Sequence, residues 1–200
     1  PQPRSKGPED GEPRWLLREA AATPTFWLVL VSLFAVSFAS SGVGLHLMPH
    51  LTQQGLSPRE AVGAISVLSL SGAVGALALG FLAERFPIRV LMGLVYLLVA
   101  AGTTVLILAD TVVETYLFAV LHGIASSGVN VLAPTLWASY YGRWSLGSLH
   151  GISRAFQVTG FAVGPLLAGL VYDATGSYQN AFVYLALVAA ASSLLVFLSR

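Results

Sequence analysis

Ionised side chains divide this sequence more sharply than any other feature. They leave uncharged windows at 20–58, 61–83, 90–109, 115–142, 155–172 and 174–199. A helix rises about 1.5 Å per residue and a bilayer's hydrocarbon core is about 30 Å thick, so roughly 20 such residues span it. Five windows reach that length, and the window 155–172 does so once its helix begins before Arg154. Backbone amides in lipid must be satisfied within their own segment, which makes each window a helix. Six spans are therefore expected at 26–49, 58–83, 88–109, 111–141, 148–172 and 178–198. Composition agrees, with 56% hydrophobic and only 10% charged residues and a mean hydropathy of +0.76. Soluble domains carry roughly a quarter charged residues, so a water-soluble globule is excluded. The net charge of +1 gives no support to a nucleic-acid partner.

The expected domains are a cytoplasmic linker at 1–24 and a transmembrane bundle at 25–200. PQPRSKGPEDGEP is polar and proline-bearing like a linker, and RWLLREAA after it suits a short helix lying on the membrane surface. No cleavable leader pattern precedes the first span, and a chain starting within a linker reads as part of something longer.

Several helix ends carry their own signals. Ser57-Pro58-Arg59-Glu60 and Thr111-Val112-Val113-Glu114 read as capping boxes, the first with proline at the opening helical position. Gly176 followed by Ser177 suits a helix stop and a new N-cap. Basic residues then set orientation. Arg4, Lys6, Arg14, Arg18, Arg85, Arg89, Arg143 and Arg200 fall on one side and Arg59 on the other. Both termini are expected in the cytoplasm, the membrane being a plasma membrane of the bacterial inner-membrane type.

Small residues mark close helix contacts in lipid. Gly72, Ala76 and Gly80 recur on the second span and Gly160, Gly164 and Ala168 on the fifth, while Pro134 and Pro165 interrupt the ladders of the fourth and fifth. Arg154 is the one full charge outside any loop. It either snorkels to the inner interface or, with Gln157 three residues on, contacts an anion. His46 and His50 are four apart, but Pro49 is expected to interrupt that helix, and neither a carboxylate nor a cysteine joins them, so no metal and no cofactor is assigned. No Asp or Glu lies within a span, so a coupled proton would be carried by a histidine, of which His122 is the deep one, by the substrate itself or by a group outside these spans.

The segment Gly80-Phe81-Leu82-Ala83-Glu84-Arg85-Phe86-Pro87-Ile88-Arg89 resembles the loop signature of the major facilitator superfamily, G-x-L-a-D-R-x-G-R-R/K. Glutamate stands for the usual aspartate and Pro87 for the second glycine. Gly164, Pro165, Gly169, Asp173 and Gly176, followed by Tyr178 and Ala181-Phe182, look like the penultimate helix and turn of that family's C-terminal half. HLMPHLTQQGLSPREA at 46–61 is similar to the outer loop of the monocarboxylate and oxalate/formate-like branch. The resemblance implies an all-α membrane protein, with six transmembrane helices forming one half of a twelve-helix transporter. It also implies alternating access, with lipid, a small-molecule substrate and an N-terminal six-helix bundle as partners. By the same resemblance, Glu84 would meet the start of the fifth span, and Arg85 and Arg89 would latch helix ends; the other reading is that both arginines only set topology. First and fourth spans would line the path, making Ser37, Ser40, Ser41, His46, His122, Ser126, Ser127, Asn130 and Thr135 candidates for substrate contact. Asn130 and Ser126 share a face, whereas any one serine equally suits a bond to backbone. A small organic anion is the expected solute, with drugs or sugars as other branches.

Two other classes fit less well. An intramembrane serine protease needs a Gly-x-Ser-Gly turn, and Ser69-Leu70-Ser71-Gly72 lacks the leading glycine. A membrane scaffold that moves no solute needs nothing further from the sequence, and the upstream sequence would discriminate it.

Overall fold

The computed structural model describes residues 15–199 and forms one helix in each of the six expected spans. A short α1, Leu17–Ala21, precedes α2 (Pro24–Gln53), α3 (Pro58–Ala83), α4 (Ile88–Leu108), α5 (Val112–Tyr141), α6 (Leu146–Thr175) and α7 (Tyr178–Leu198). Helices α2 to α7 are each long and apolar enough to cross a membrane. Residues 1–14 of the expected linker, with Arg4, Lys6 and Arg14, and the terminal Arg200 lie outside the described residues, while α1 forms where the sequence suggests a short helix.

Chemistry at the helix ends explains the boundaries. Ser57 Oγ accepts from the Glu60 amide while Glu60 Oε2 accepts from the Ser57 amide at 2.8 Å, and Thr111 with Glu114 repeats the arrangement. Such reciprocal caps satisfy amides that the first turn leaves without partners. Gly142 and Gly176 close α5 and α6 with positive φ, which glycine adopts without the clash a Cβ would bring. Ser177 stands at the N-cap of α7 as expected, but its side chain makes no capping bond.

Pro49 does not interrupt α2, contrary to the sequence expectation; the helix continues four residues beyond it to Gln53. A proline removes only its own amide and frees the carbonyl four residues earlier. Leu45 carries that carbonyl here and is an exposed residue near the end of the span, where the loss costs least.

Packing follows one path through the bundle. Helix α3 leans on α5, α5 on α4, α4 on α7, α7 on α2 and α2 on α6, while α5 and α6 touch only lightly. The core holds Trp137, Tyr96, Phe118 and Phe182 among leucines such as Leu30, Leu33, Leu132 and Leu136. Gly160, Gly164 and Ala168 are buried on one face of α6, and the two glycines lie against the Phe34 and Phe38 backbone of α2. On α3 the contact face differs from the expected one. Gly72, Gly75 and Leu79 are buried against α5, whereas Ala76 and Gly80 are only partly covered. Large apolar side chains remain exposed along α3 and α6, including Leu70, Leu77, Phe81, Leu166 and Leu170.

Candidate functional site

The arginine inside α6 finds its partners sideways, not toward the helix end. Arg154 lies eight residues after Leu146, about 12 Å along the helix. Its Nη1 donates to Asn130 Oδ1 of α5 at 3.0 Å and to Gln157 Oε1 at 3.1 Å. Snorkelling toward the Leu146 end of α6 is thus not the arrangement adopted. Three residues that the sequence offers separately meet at one point, with a cation held by two neutral amide oxygens. Gln157 is 1% exposed, and its Nε2 has no partner among the described residues.

Beside this triad, Val36, Ser37, Ser40, Ser126, Val129, Asn130 and Phe161 line a cavity of about 70 Å³ between α2, α5 and α6. The hydroxyls of Ser40 and Ser126 are buried without hydrogen-bond partners among the described residues. His122 is also buried, with its Nδ1 unpartnered among the described residues and its ring 5.2 Å from that of Phe118. The result is a set of neutral donors next to a single guanidinium, with no carboxylate beside them among the described residues. Such a set has the chemistry to receive a small anion or a polar neutral molecule.

Ser41 stands elsewhere. Its hydroxyl donates to the Phe38 carbonyl at 3.2 Å and approaches the Gly160 carbonyl at 3.5 Å, within the α2–α6 contact. Of the other candidates, Thr135 is exposed on α5, and Ser127 fills the space beside Gly72 on the α3–α5 contact.

The charged loop between α3 and α4 is divided in its behaviour. Arg89 Nη1 donates to the Ser199 carbonyl at 3.2 Å, so it does engage a helix C-terminus, that of α7. Tyr140 donates to the same carbonyl at 3.2 Å, joining the start of α4 to the ends of α5 and α7. The expected contact from Glu84 to the start of the fifth span is not formed. The side chains of Glu84 and Arg85 are exposed and make no hydrogen bond or ion pair among the described residues, because α3 packs on α5 and has little contact with α6. Gly80 makes only an ordinary approach to Val131.

The penultimate-helix motif has mixed roles too. Gly164 permits the α2–α6 approach, and the Pro165 carbonyl accepts from His46 Nε2 at 3.0 Å. Gly176 is the left-handed cap, with its amide on the Tyr172 carbonyl at 2.7 Å. A Cβ at Gly169 would meet the His46 ring at van der Waals distance, and Asp173 is exposed. His46 and His50 do share a face, but that face packs on Tyr178, with His50 also against Phe182. No cluster of three metal-ligating side chains occurs among the described residues.

Sequence reasoning missed Gly75, Phe161 and the Tyr140–Ser199 anchor. Gly75 follows Gly72 at the i+3 spacing of a helix face, which a search at i+4 alone passes over.

Comparison with known proteins adds an independent line. The family model described as Major Facilitator Superfamily matches residues 29–200. Monocarboxylate transporter 12 of Mus musculus is 26% identical over 175 residues, covering 86% of this chain and 36% of the relative. Human monocarboxylate transporter 12 is 24% identical over 162 residues, covering 79% of this chain and 31% of the relative. Monocarboxylate transporter 13 of Rattus norvegicus is 27% identical over 141 residues, covering 70% and 33%. The chain thus spans about a third of the length of the curated relatives it matches.

Proposed function

Because the chain belongs to the major facilitator superfamily, we propose that it is the C-terminal six-helix half of a secondary transporter moving a small organic anion by alternating access. In this mechanism two bundles rock about a site between them. Arg154 supplies the charge contact, with Asn130, Gln157, Ser126 and His122 around it. The observation that carries this reading is a guanidinium inside a span whose only partners among the described residues are two amide oxygens. Its charge is solvated but not cancelled, and an anion completes it. The names of the relatives favour a monocarboxylate as that anion. Apolar faces uncovered on α3 and α6 favour a second bundle as the partner, as does the greater length of the relatives. The end bearing Arg18, Arg85, Arg89 and Arg143 is placed in the cytoplasm of a plasma membrane, with both termini, by the bias of basic residues toward that side.

The test is uptake by the reconstituted full-length protein, with radiolabelled acetate, L-lactate and benzoate as probes. Arg154→Gln is expected to lower kcat/KM for the transported probe by about tenfold or more, the loss of one charge-assisted contact. Arg154→Lys should recover part of this, since an ammonium keeps the charge but not the planar fork. Uptake unchanged in Arg154→Gln would remove Arg154 from the site.

A further inference from the structure

The bond between Arg154 and Asn130 is the one side-chain hydrogen bond joining α5 to α6 among the described residues. These helices otherwise rest on other neighbours, α5 on α3 and α4, and α6 on α2. Asn130 is oriented for the contact. Its Nδ2 donates to the Ser126 carbonyl at 3.1 Å, one turn back, which leaves Oδ1 for Arg154. The same residue marks a weak turn of α5. Pro134 lies four positions on and has no amide to return to the Asn130 carbonyl, so the helical ladder lacks a rung there. Gln157 accepts from the same Nη1 and keeps a buried Nε2 in reserve as a donor.

A carboxylate bonds a guanidinium about twice as strongly as a neutral amide oxygen does, and often with two oxygens at once. An anion reaching Arg154 therefore outcompetes the single amide contact. We propose that Asn130 is an exchangeable latch: in the empty site it holds Arg154 and ties α5 to α6, and an arriving carboxylate takes its place and unties the helices at the proline-weakened turn. This inference rests on the anion reading of Arg154. The Gln157 amide and the Ser126 hydroxyl, both with unpartnered atoms nearby, receive the second carboxylate oxygen. Binding is then coupled to movement because the substrate replaces a bond that held two helices together.

Full-length protein in liposomes, with initial rates of L-lactate and acetate uptake, distinguishes the latch from its rivals. Asn130→Ala removes the internal competitor, and KM is expected to fall about threefold or more. Asn130→Asp installs a permanent ion pair, and KM should rise about tenfold or more. Asn130→Ser, too short to bridge the gap, should follow alanine and serves where another variant does not reach the membrane. A purely structural asparagine would lower Vmax and leave KM unmoved, while an asparagine that binds substrate directly would raise KM in the alanine and serine variants. Either pattern overturns the latch and leaves the Arg154 reading standing. That reading fails separately, through unaltered uptake in Arg154→Gln.

Discussion

Gly164 shows how little room the α2–α6 contact leaves. A Cβ at this position would collide with the Phe38 carbonyl, a backbone atom that cannot rotate aside, and would crowd Ser41 Oγ. Gly44 on α2 is a matched control, since a Cβ there meets nothing within 4 Å. Gly164→Val is therefore expected to destabilise the bundle by about 1–3 kcal/mol, the usual cost of overpacking, while Gly44→Ala changes little. Thermal unfolding in detergent reads both, and equal midpoints for the two variants would contradict the close approach. Ser41 belongs to this contact, and in the same assay Ser41→Ala should cost about 1 kcal/mol or less, because its strongest bond is to its own helix. The triad of Arg154, Asn130 and Gln157 forms by a different route. Spacing alone puts Gln157 beside Arg154, three residues along one helix. It cannot pair Arg154 with Asn130, since that depends on how α5 and α6 sit against each other.

Among whole elements, the ends are more legible than the faces. Ser57 and Thr111 announce α3 and α5 because capping is local chemistry, complete within four residues. Replacing Ser57 with alanine should cost about 1 kcal/mol and accelerate amide exchange in the first turn of α3 alone. Hydrogen exchange with peptide-level resolution checks this, and acceleration spread along all of α3 would contradict a local cap. Which face an apolar helix buries is harder to read, because in lipid both faces are oily and periodicity disappears. Small residues are then the one sequence signal for the contact face of α3, and Gly75 and Leu79 stand at its centre in place of Ala76 and Gly80. Pro49 illustrates a related limit. Proline breaks helices in water, where freed carbonyls and open ends compete, but α2 runs through it near its end. The Glu84 contact was expected from a family pattern, and packing decides it: α3 leans on α5, so the loop points away from α6.

At the scale of the molecule, the packing pattern maps onto itself when α2, α3 and α4 are exchanged with α5, α6 and α7. The α3–α5 contact becomes α6–α2, α4–α5 becomes α7–α2, and α4–α7 returns to itself. Lengths follow the same rule, at 30, 26 and 21 residues for the first three and 30, 30 and 21 for the second three. Three is odd, so the second triplet enters from the opposite end of the bundle, which is the inverted repeat found inside each half of transporters of this family. Such a repeat places α2 and α5 at equivalent central positions and brings them together at the small cavity between Ser37, Ser40, Ser126 and Asn130. It also fixes which loops share an end. Arg18, Arg85, Arg89 and Arg143 all fall at the end where α2 begins, and Arg59 falls at the other. With the basic end inside the cell, a membrane-impermeant maleimide should label Arg59→Cys in intact cells, in a full-length background without other cysteines. Arg143→Cys should react only after permeabilisation. Arg59 and Arg143 flank an odd number of spans, so labelling of both from one side cannot coexist with six crossings, and reversal of the two would invert the orientation while leaving the fold intact.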